Sequence, residues 1–212
     1  CMKKFKFLLL SACIALVACT AKTSSEQQVS DKGTKWSWDK GTIVVETPER
    51  PAGQTSVIGL TIPKMEVVRV GFVGLGMRGP GAVERFTYIP GVEIVALCDY
   101  EKERAEKCQK YLQRASMPKA AIYSGEKGYE ELCKRDDIDL VYIATDWLHH
   151  FPVAMCAMEN NKNVAIEVPS AMDLKECWAL VNMSEKTRKH CMILENLSLI
   201  HISEPTRQAE IS

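Results

Sequence analysis

The chain has 212 residues, a formal net charge of zero and a hydrophobic content of 46%. This length allows one domain or one and a half, and the balanced charge argues against a basic nucleic-acid-binding surface or an acidic tail. The nine cysteines include no C-x-x-C pair, so neither a zinc site nor a disulfide framework is indicated. We expect an ordinary globular protein without a metal, with most of its later cysteines in the core.

Residues 1–19 have the features of a secretory signal. A lysine-rich start precedes an apolar run at residues 7–17 that is too short to span a membrane. The run ends in Leu-Val-Ala-Cys, which resembles the lipobox of bacterial lipoproteins and implies lipidation of Cys19. A plain secretory signal is the alternative. The prediction is an exported lipoprotein, periplasmic or on the outer membrane of a Gram-negative bacterium, that touches the membrane only through its lipid anchor.

Residues 20–63 precede the regular part of the chain. The stretch up to about residue 41 is polar and rich in Ser, Lys and Gln, which predicts a flexible tether. Residues 41–63 contain short β-like pieces interrupted by Pro and Gly. They predict an N-terminal arm laid on the surface of the domain.

Residues 64–196 alternate strand-like and helix-like segments. Apolar strands are predicted at residues 67–73, 92–99, 121–123, 139–144, 163–168 and 190–195. We expect one of the intervening helices to begin at Pro152 and another to be capped by Asp173. Strands that are apolar throughout suit a parallel sheet covered on both faces. The fold class is therefore α/β, a Rossmann-like doubly wound parallel sheet with strand order 3-2-1-4-5-6.

The loop after the first strand reads GLGMRG and places glycine at positions 74, 76 and 79. In a dinucleotide site Gly74 makes the tight turn, Gly76 lets the backbone approach the pyrophosphate, and Gly79 lets helix and strand pack closely. The helix that follows offers free N–H groups to the phosphates. The motif alone is weak, because any glycine-rich strand-to-helix turn looks the same.

Asp99 ends the second strand, about 20 residues after the loop, where an acidic side chain accepts hydrogen bonds from a ribose. A carboxylate there repels a 2′-phosphate, so NAD is predicted rather than NADP. Asp99 can also serve as a helix N-cap. Together with the glycine loop, it makes dinucleotide binding the leading prediction.

Ligands of doubly wound sheets bind at the carboxyl ends of the strands. Either His149 or His150 is a candidate to face the nicotinamide or the substrate, with a helix start as the alternative role, and Arg78 either lies along the pyrophosphate or is solvated. The polar and aromatic residues at these ends are Met77, Arg78, Asp99, Trp147, Leu148, His149, His150, Glu167, Val168 and Asn196.

At these residues the chain resembles the Gfo/Idh/MocA oxidoreductase family. It is more closely similar to the branch classified as glycoside hydrolase family 109, the NAD-dependent α-N-acetylgalactosaminidases. The segments that carry this resemblance include ETPERPAGQTSVIGL, VRVGFVGLGMRGPGAVERF, ATDWLHH, AIEVPSA and ILEN. The resemblance implies NAD contacts at Met77, Arg78, Asp99, the four residues 147–150, Glu167, Val168 and Asn196.

The resemblance also implies a redox-assisted hydrolysis of a glycan with terminal α-N-acetylgalactosamine. In that cycle the sugar C3 hydroxyl is oxidised, the C2 proton is removed, the aglycone is eliminated, water adds, and the ketone is reduced again. The wider family has an E-K-P triplet, whereas this chain has Glu167-Val168-Pro169, which argues against an ordinary sugar dehydrogenase. The family's catalytic residues lie in a second domain with an open β-sheet that is missing here, so the catalytic residues are unknown and His150 is the one weak candidate.

Residues 197–212 depart from the family. Their stretch LSLIHISEPTR can be back-translated into a transposase adapter used in sequencing libraries, and we interpret these residues as a non-native tail on an N-terminal fragment. Two other functions stay open: a net sugar oxidoreductase of the wider family, and a non-enzymatic binding lipoprotein. Assembly into a homo-oligomer also stays open.

Overall fold

A computed structural model of the chain describes residues 28–30 and 33–195. It divides into two compact units, with the boundary between Glu46 and Thr47. Outside the described residues lie the predicted signal sequence with Cys19, the cofactor candidate Asn196 and the adapter-like residues 197–212. Among the described residues, none of the helices is both long and apolar enough to cross a bilayer.

The first unit is a small antiparallel sheet in the order β1 (Gln28–Val29), β2 (Lys35–Asp39) and β3 (Thr42–Val45). The tether prediction is wrong for residues 35–39, because they form β2, which pairs with β3 in a hairpin. β3 lies in the part of the chain where short β-like pieces were predicted. Lys40 and Gly41 both have positive φ, 47° and 82°, as a two-residue hairpin turn requires. The β-branched and tryptophan side chains on either side of the turn favour strands over a tether.

The second unit contains a parallel six-stranded sheet, as predicted. Its strands are β4 (Val68–Val73), β5 (Val92–Asp99), β6 (Ala121–Ser124), β7 (Leu140–Ile143), β8 (Asn163–Glu167) and β9 (Cys191–Leu194). Their order is β6-β5-β4-β7-β8-β9, which is 3-2-1-4-5-6 and confirms the doubly wound topology. The order reverses beside β4, so the glycine loop lies at the switch point where such sheets bind ligands.

Five helices cover the sheet: α1 (Gly79–Phe86), α2 (Lys102–Arg114), α3 (Gly128–Cys133), α4 (Trp147–Glu159) and α5 (Leu174–Thr187). The prediction that a helix begins at Pro152 is wrong, since Pro152 lies inside α4. Asp146 is the N-cap of that helix, and its side chain accepts a hydrogen bond from the Leu148 N–H at 3.0 Å. This cap starts the helix earlier, so residues 147–150 form its first turn and not a loop. The predicted cap of α5 is confirmed, because Asp173 accepts from the Glu176 N–H at 2.9 Å.

Two hydrophobic clusters lie on opposite faces of the sheet, since successive residues of a strand alternate between them. One contains Phe72 and Tyr142, and the other contains Val73 and Ile143. Three cysteines (98, 108 and 133) are buried in these clusters.

Residues 50–56 of the predicted N-terminal arm lie against α5 and its C-cap residue Arg188. Arg50 donates two hydrogen bonds to the buried Glu185 carboxylate, at 2.8 and 3.0 Å. Arg188 donates to the Thr55 and Ser56 carbonyls at 2.8 and 3.1 Å. Residues 50–56 are therefore held on the domain by charged hydrogen bonds.

Candidate functional site

A cavity of about 830 Å³ opens at the carboxyl ends of β4, β5, β7 and β8. Its volume is in the range of small-molecule and cofactor sites. The predicted residues that line it are Gly74, Gly76, Met77, Arg78, Asp99, Trp147, His149, His150, Glu167 and Val168. Gly79 and Leu148, which were also predicted to contact the cofactor, are not among the lining residues.

Two glycines of the loop are required by the fold. Gly74 has φ +93°, and a Cβ there would collide with the backbone of Ala144 and Thr145 at the end of β7. A Cβ at Gly79 would collide with the Gly74 carbonyl oxygen. Both residues are buried, so they let the loop fit closely between β4, β7 and α1.

The third glycine of the motif is different. Gly76 is exposed, and the nearest heavy atom to a Cβ placed there is Arg104 Nη1 at 3.7 Å, an ordinary contact distance. The fold therefore leaves room for a side chain at this position. Met77 beside it is 95% exposed. The packing of the protein does not require glycine at position 76. A glycine there does allow a phosphate to approach the backbone closely, so this part of the loop is suited to a dinucleotide.

Asp99 holds the glycine loop in place. Its Oδ2 accepts a hydrogen bond from the Leu75 N–H at 2.6 Å, and its Oδ1 accepts from the Glu101 N–H at 3.0 Å. The N-cap of α2 is Glu101, so Asp99 is not that cap. Each carboxylate oxygen keeps a further acceptor position, and Asp99 lines the cavity, which leaves it able to accept from a ribose hydroxyl.

The first turn of α4 presents side chains to the cavity. Asp146 caps the helix and its Oδ2 lies 2.7 Å from His149 Nδ1. Burial alone would raise the pKa of Asp146, but the hydrogen bond and charge of His149 and the bonds from the helix amides outweigh it and lower that pKa. Trp147 lines the cavity yet is 61% exposed. A largely exposed tryptophan beside a cavity offers a flat apolar surface to a ligand.

His150 lines the cavity and has one ring nitrogen without a hydrogen-bond partner among the described residues. It is 1% exposed, and its Nδ1 lies 2.7 Å from the Pro169 carbonyl oxygen. A carbonyl can only accept, so Nδ1 carries the proton and Nε2 of the neutral ring is an acceptor. Nε2 is buried without a hydrogen-bond partner among the described residues. Since buried polar atoms are normally paired, the unpaired acceptor makes His150 a candidate to contact a ligand.

Glu167 is fixed from the neighbouring strand. The Tyr142 hydroxyl donates to its Oε1 at 2.7 Å. Tyr142 stacks on Phe72 with ring centroids 5.1 Å apart and meets Phe86 edge-on at 5.4 Å. Burial and the nearby carboxylate both raise the pKa of Tyr142, so its hydroxyl stays protonated. The Glu167 carboxylate is thus held at the cavity wall in one orientation.

Several lining residues were not predicted. Tyr100 and Arg104 follow Asp99, and Gly125, Glu126 and Tyr129 follow β6. The residues after β6 follow a strand end of the same sheet, so the strand-end rule could have found them. The strand-end rule could not predict Arg104, because this residue reaches the site from the first turn of α2.

The family model described as "Oxidoreductase family, NAD-binding Rossmann fold" (GFO_IDH_MocA) matches residues 68–195. A Phocaeicola vulgatus protein named "Glycosyl hydrolase family 109 protein 5" is 76% identical over 197 residues. "Glycosyl hydrolase family 109 protein 1" of Bacteroides thetaiotaomicron is 59% identical over 192 residues. These matches cover 92% and 90% of this chain but 38% and 40% of the relatives, so the chain spans well under half of their length.

Solved structures match the Rossmann unit. An NAD-binding protein from Listeria innocua superposes with a TM-score of 0.56 at 24% identity, over 68% of this chain and 41% of that one. Myo-inositol dehydrogenase from Lactobacillus casei, solved with NAD(H) and myo-inositol, gives 0.55 at 24%, over 69% and 43%. At this identity the likeness establishes the fold.

Proposed function

Because this chain belongs to the Gfo/Idh/MocA oxidoreductase family, with its NAD-binding Rossmann fold, we propose that it is the cofactor-binding part of an NAD-dependent glycosidase. The observation that carries the proposal is that His150, whose buried Nε2 is unpaired among the described residues, lines the same cavity as the glycine loop. The high identity to proteins named as glycosyl hydrolase family 109 supports the reaction class.

The residues that would hold NAD fall into three groups. Gly76 and the N-terminus of α1 would receive the pyrophosphate through backbone N–H groups, and Asp99 would accept from a ribose. The side chains of Trp147 and His150 would contact the reactive half. The bound cofactor supplies reversible hydride acceptance from a sugar carbon. Asn196 and Arg78 stay predicted contacts.

His150 is suited to receive a hydrogen bond or a proton. Its Nδ1–H is anchored on the Pro169 carbonyl, which fixes the ring at the cavity wall and leaves Nε2 as an acceptor that is unpaired within the described part of the chain. Glu167, held by Tyr142, would place a second acceptor at the same wall. Two fixed acceptors suit a polyhydroxylated ligand such as a sugar. The proposed substrate is a glycan that ends in α-N-acetylgalactosamine.

Val168 favours the glycosidase proposal over the sugar dehydrogenase alternative. It lines the cavity at the position of the lysine in the E-K-P triplet, and an aliphatic side chain cannot transfer a proton. A cycle that ends with the cofactor in its starting redox state needs no supply of oxidant. Such a cycle suits export through the proposed signal sequence with lipidation at Cys19, since an exported enzyme must retain its cofactor.

The test has two stages. First, calorimetric titration of the 212-residue chain with NAD+ should give saturable binding, and His150→Ala should weaken it. Second, residues 1–195 are joined to the remaining part of the 76%-identical Phocaeicola vulgatus relative, and the chimera is given NAD+ and a chromogenic α-N-acetylgalactosaminide. We expect release of the chromophore without accumulation of NADH at 340 nm.

The outcomes separate the three functions. Steady formation of NADH with free sugar, and no chromophore release, supports the oxidoreductase. Binding of sugar without NAD binding or turnover supports a non-enzymatic lipoprotein. Release of chromophore that is unaffected by removing NAD contradicts the proposed cofactor dependence.

A further inference from the structure

We propose that the Glu101–Arg104 ion pair selects NAD over NADP at this site, because it neutralises the cation nearest to the glycine loop that would otherwise bind a 2′-phosphate. The inference rests on the proposed function only in requiring that the dinucleotide binds at Gly76 and Asp99. It assigns a specificity role to two residues outside the glycine motif.

Arg104 lies beside Asp99, the residue proposed to accept from the adenosine ribose. Its Nη2 lies 3.1 Å from Glu101 Oε1, and its Nη1 lies 3.5 Å from Asp99 Oδ1. Arg104 Nη1 is also within 3.7 Å of the Cβ position of Gly76. In dinucleotide folds an arginine near this acidic residue accommodates the 2′-phosphate of NADP. Here the carboxylates of Asp99 and Glu101 already pair with the guanidinium group of Arg104.

A second cavity of about 520 Å³ lies on the other side of Arg104. Gly76 and Arg104 line both cavities, and Lys107 and Lys110 add two further positive charges to the second one. No carboxylate is among its lining residues in the described part of the chain. The site therefore contains the cations that a 2′-phosphate needs, but the nearest one is paired with Glu101.

Asp99 cannot be the simple switch. Its two oxygens accept the Leu75 and Glu101 N–H groups, so replacing it disturbs the glycine loop and weakens both cofactors. Glu101 has no such duty in the structure: its side chain is 54% exposed and does not cap α2. Its carboxylate can be neutralised while the loop stays intact.

The test compares NAD+ and NADP+ binding to the full chain by calorimetry at low salt. The parent chain should bind NAD+ more tightly than NADP+. Glu101→Gln should tighten NADP+ roughly fivefold, the size of a half-exposed ion pair worth about 1 kcal/mol, and change NAD+ less than about twofold. Adding Arg104→Met to Glu101→Gln should abolish the gain.

Glu106→Gln is the matched control. It removes the same charge from the same helix, but Glu106 pairs with Lys102 at 3.4 Å. We expect its NADP+ to NAD+ affinity ratio to equal that of the parent chain. A gain that survives Arg104→Met, an equal gain in Glu106→Gln, or no gain in a folded Glu101→Gln overturns the inference while leaving NAD binding established. Absence of NAD+ binding by the parent chain overturns the proposed function, and the inference with it.

Discussion

The glycine loop and the first turn of α4 line the same cavity but are built on different principles. In the loop, Gly74 and Gly79 are buried, and backbone contacts forbid any side chain at either position. In the helical turn, Trp147 and Leu148 are 61% and 72% exposed, so packing places little constraint on them. Gly74 and Gly79 therefore report mainly on the fold, whereas the exposed Trp147 and Leu148 report on a ligand or partner. His150 of the same turn is buried and is constrained by packing.

The contrast also divides the glycine motif itself. A motif match gives all three glycines equal weight. Of the three, only Gly76 lies where the protein has room for a Cβ. The functional content of the motif thus lies mostly in that one residue. The following predictions test this division, from the largest expected effect to the smallest.

Gly74→Ala should damage the fold. The new methyl group would meet the Ala144–Thr145 backbone, and the φ of +93° is strained for alanine. We expect a loss of about 2–4 kcal/mol in the free energy of unfolding, measured by urea denaturation. Gly81→Ala is the control, because a Cβ there meets only the flexible end of Arg85 at 3.3 Å and alanine favours the helix. Equal stability of the two variants would contradict the division.

Gly76→Ala should leave the fold intact and impair the cofactor. A Cβ fits the free protein, so the free energy of unfolding should change by less than about 0.5 kcal/mol. The methyl group would occupy the space that the pyrophosphate needs, and NAD+ affinity should fall at least tenfold, about 1.4 kcal/mol. Titration calorimetry and thermal melting decide it: unaltered NAD+ affinity would show that Gly76 is only a turn residue.

Trp147→Ala tests the helical turn. Loss of its ring from the cavity wall should weaken NAD+ binding by about 1 kcal/mol, or roughly fivefold, with no change in melting temperature. Leu148→Ala is the neighbour control, since Leu148 is exposed and does not line the cavity. If both variants weaken NAD+ equally, the effect belongs to the turn as a whole and not to the tryptophan.

The sequence predicted the Rossmann sheet well because its strands are apolar throughout and separated by helix patterns. The bounds of β5, residues 92–99, were predicted without error. The start of α4 was not, because Pro152 is a strong helix-start signal and only the three-dimensional position of Asp146 shows the earlier cap. The strand at residues 35–39 was missed because the polar stretch that precedes it predicts a tether, although Trp36 and Trp38 favour a strand.

The site was predicted in part for a similar reason. Strand ends locate residues such as Asp99 and Glu167, since the parallel sheet brings them to one edge. Side chains that arrive from helices, such as Arg104, follow no strand and carry no such signal. In His150, Nδ1 donates and Nε2 accepts because Nδ1 lies against the Pro169 carbonyl. This contact joins two separate segments, so the hydrophobic periodicity of the sequence cannot reveal it.

The smallest effect concerns the cap that builds the helical turn. Asp146→Ala should lower the free energy of unfolding by about 1 kcal/mol at pH 7, because the Leu148 N–H loses its acceptor. The folded-state pKa of Asp146 is lowered, so its charged contribution is present above the unfolded pKa of about 3.9 and is lost as pH falls through the folded pKa. Asp146→Ser keeps a capping oxygen without a charge and should recover most of the stability at every pH. Urea denaturation between pH 2 and pH 7, at roughly half-unit steps, measures both variants. A deficit of Asp146→Ala that stays constant down to the lowest pH would show that the ionised carboxylate does not stabilise this turn.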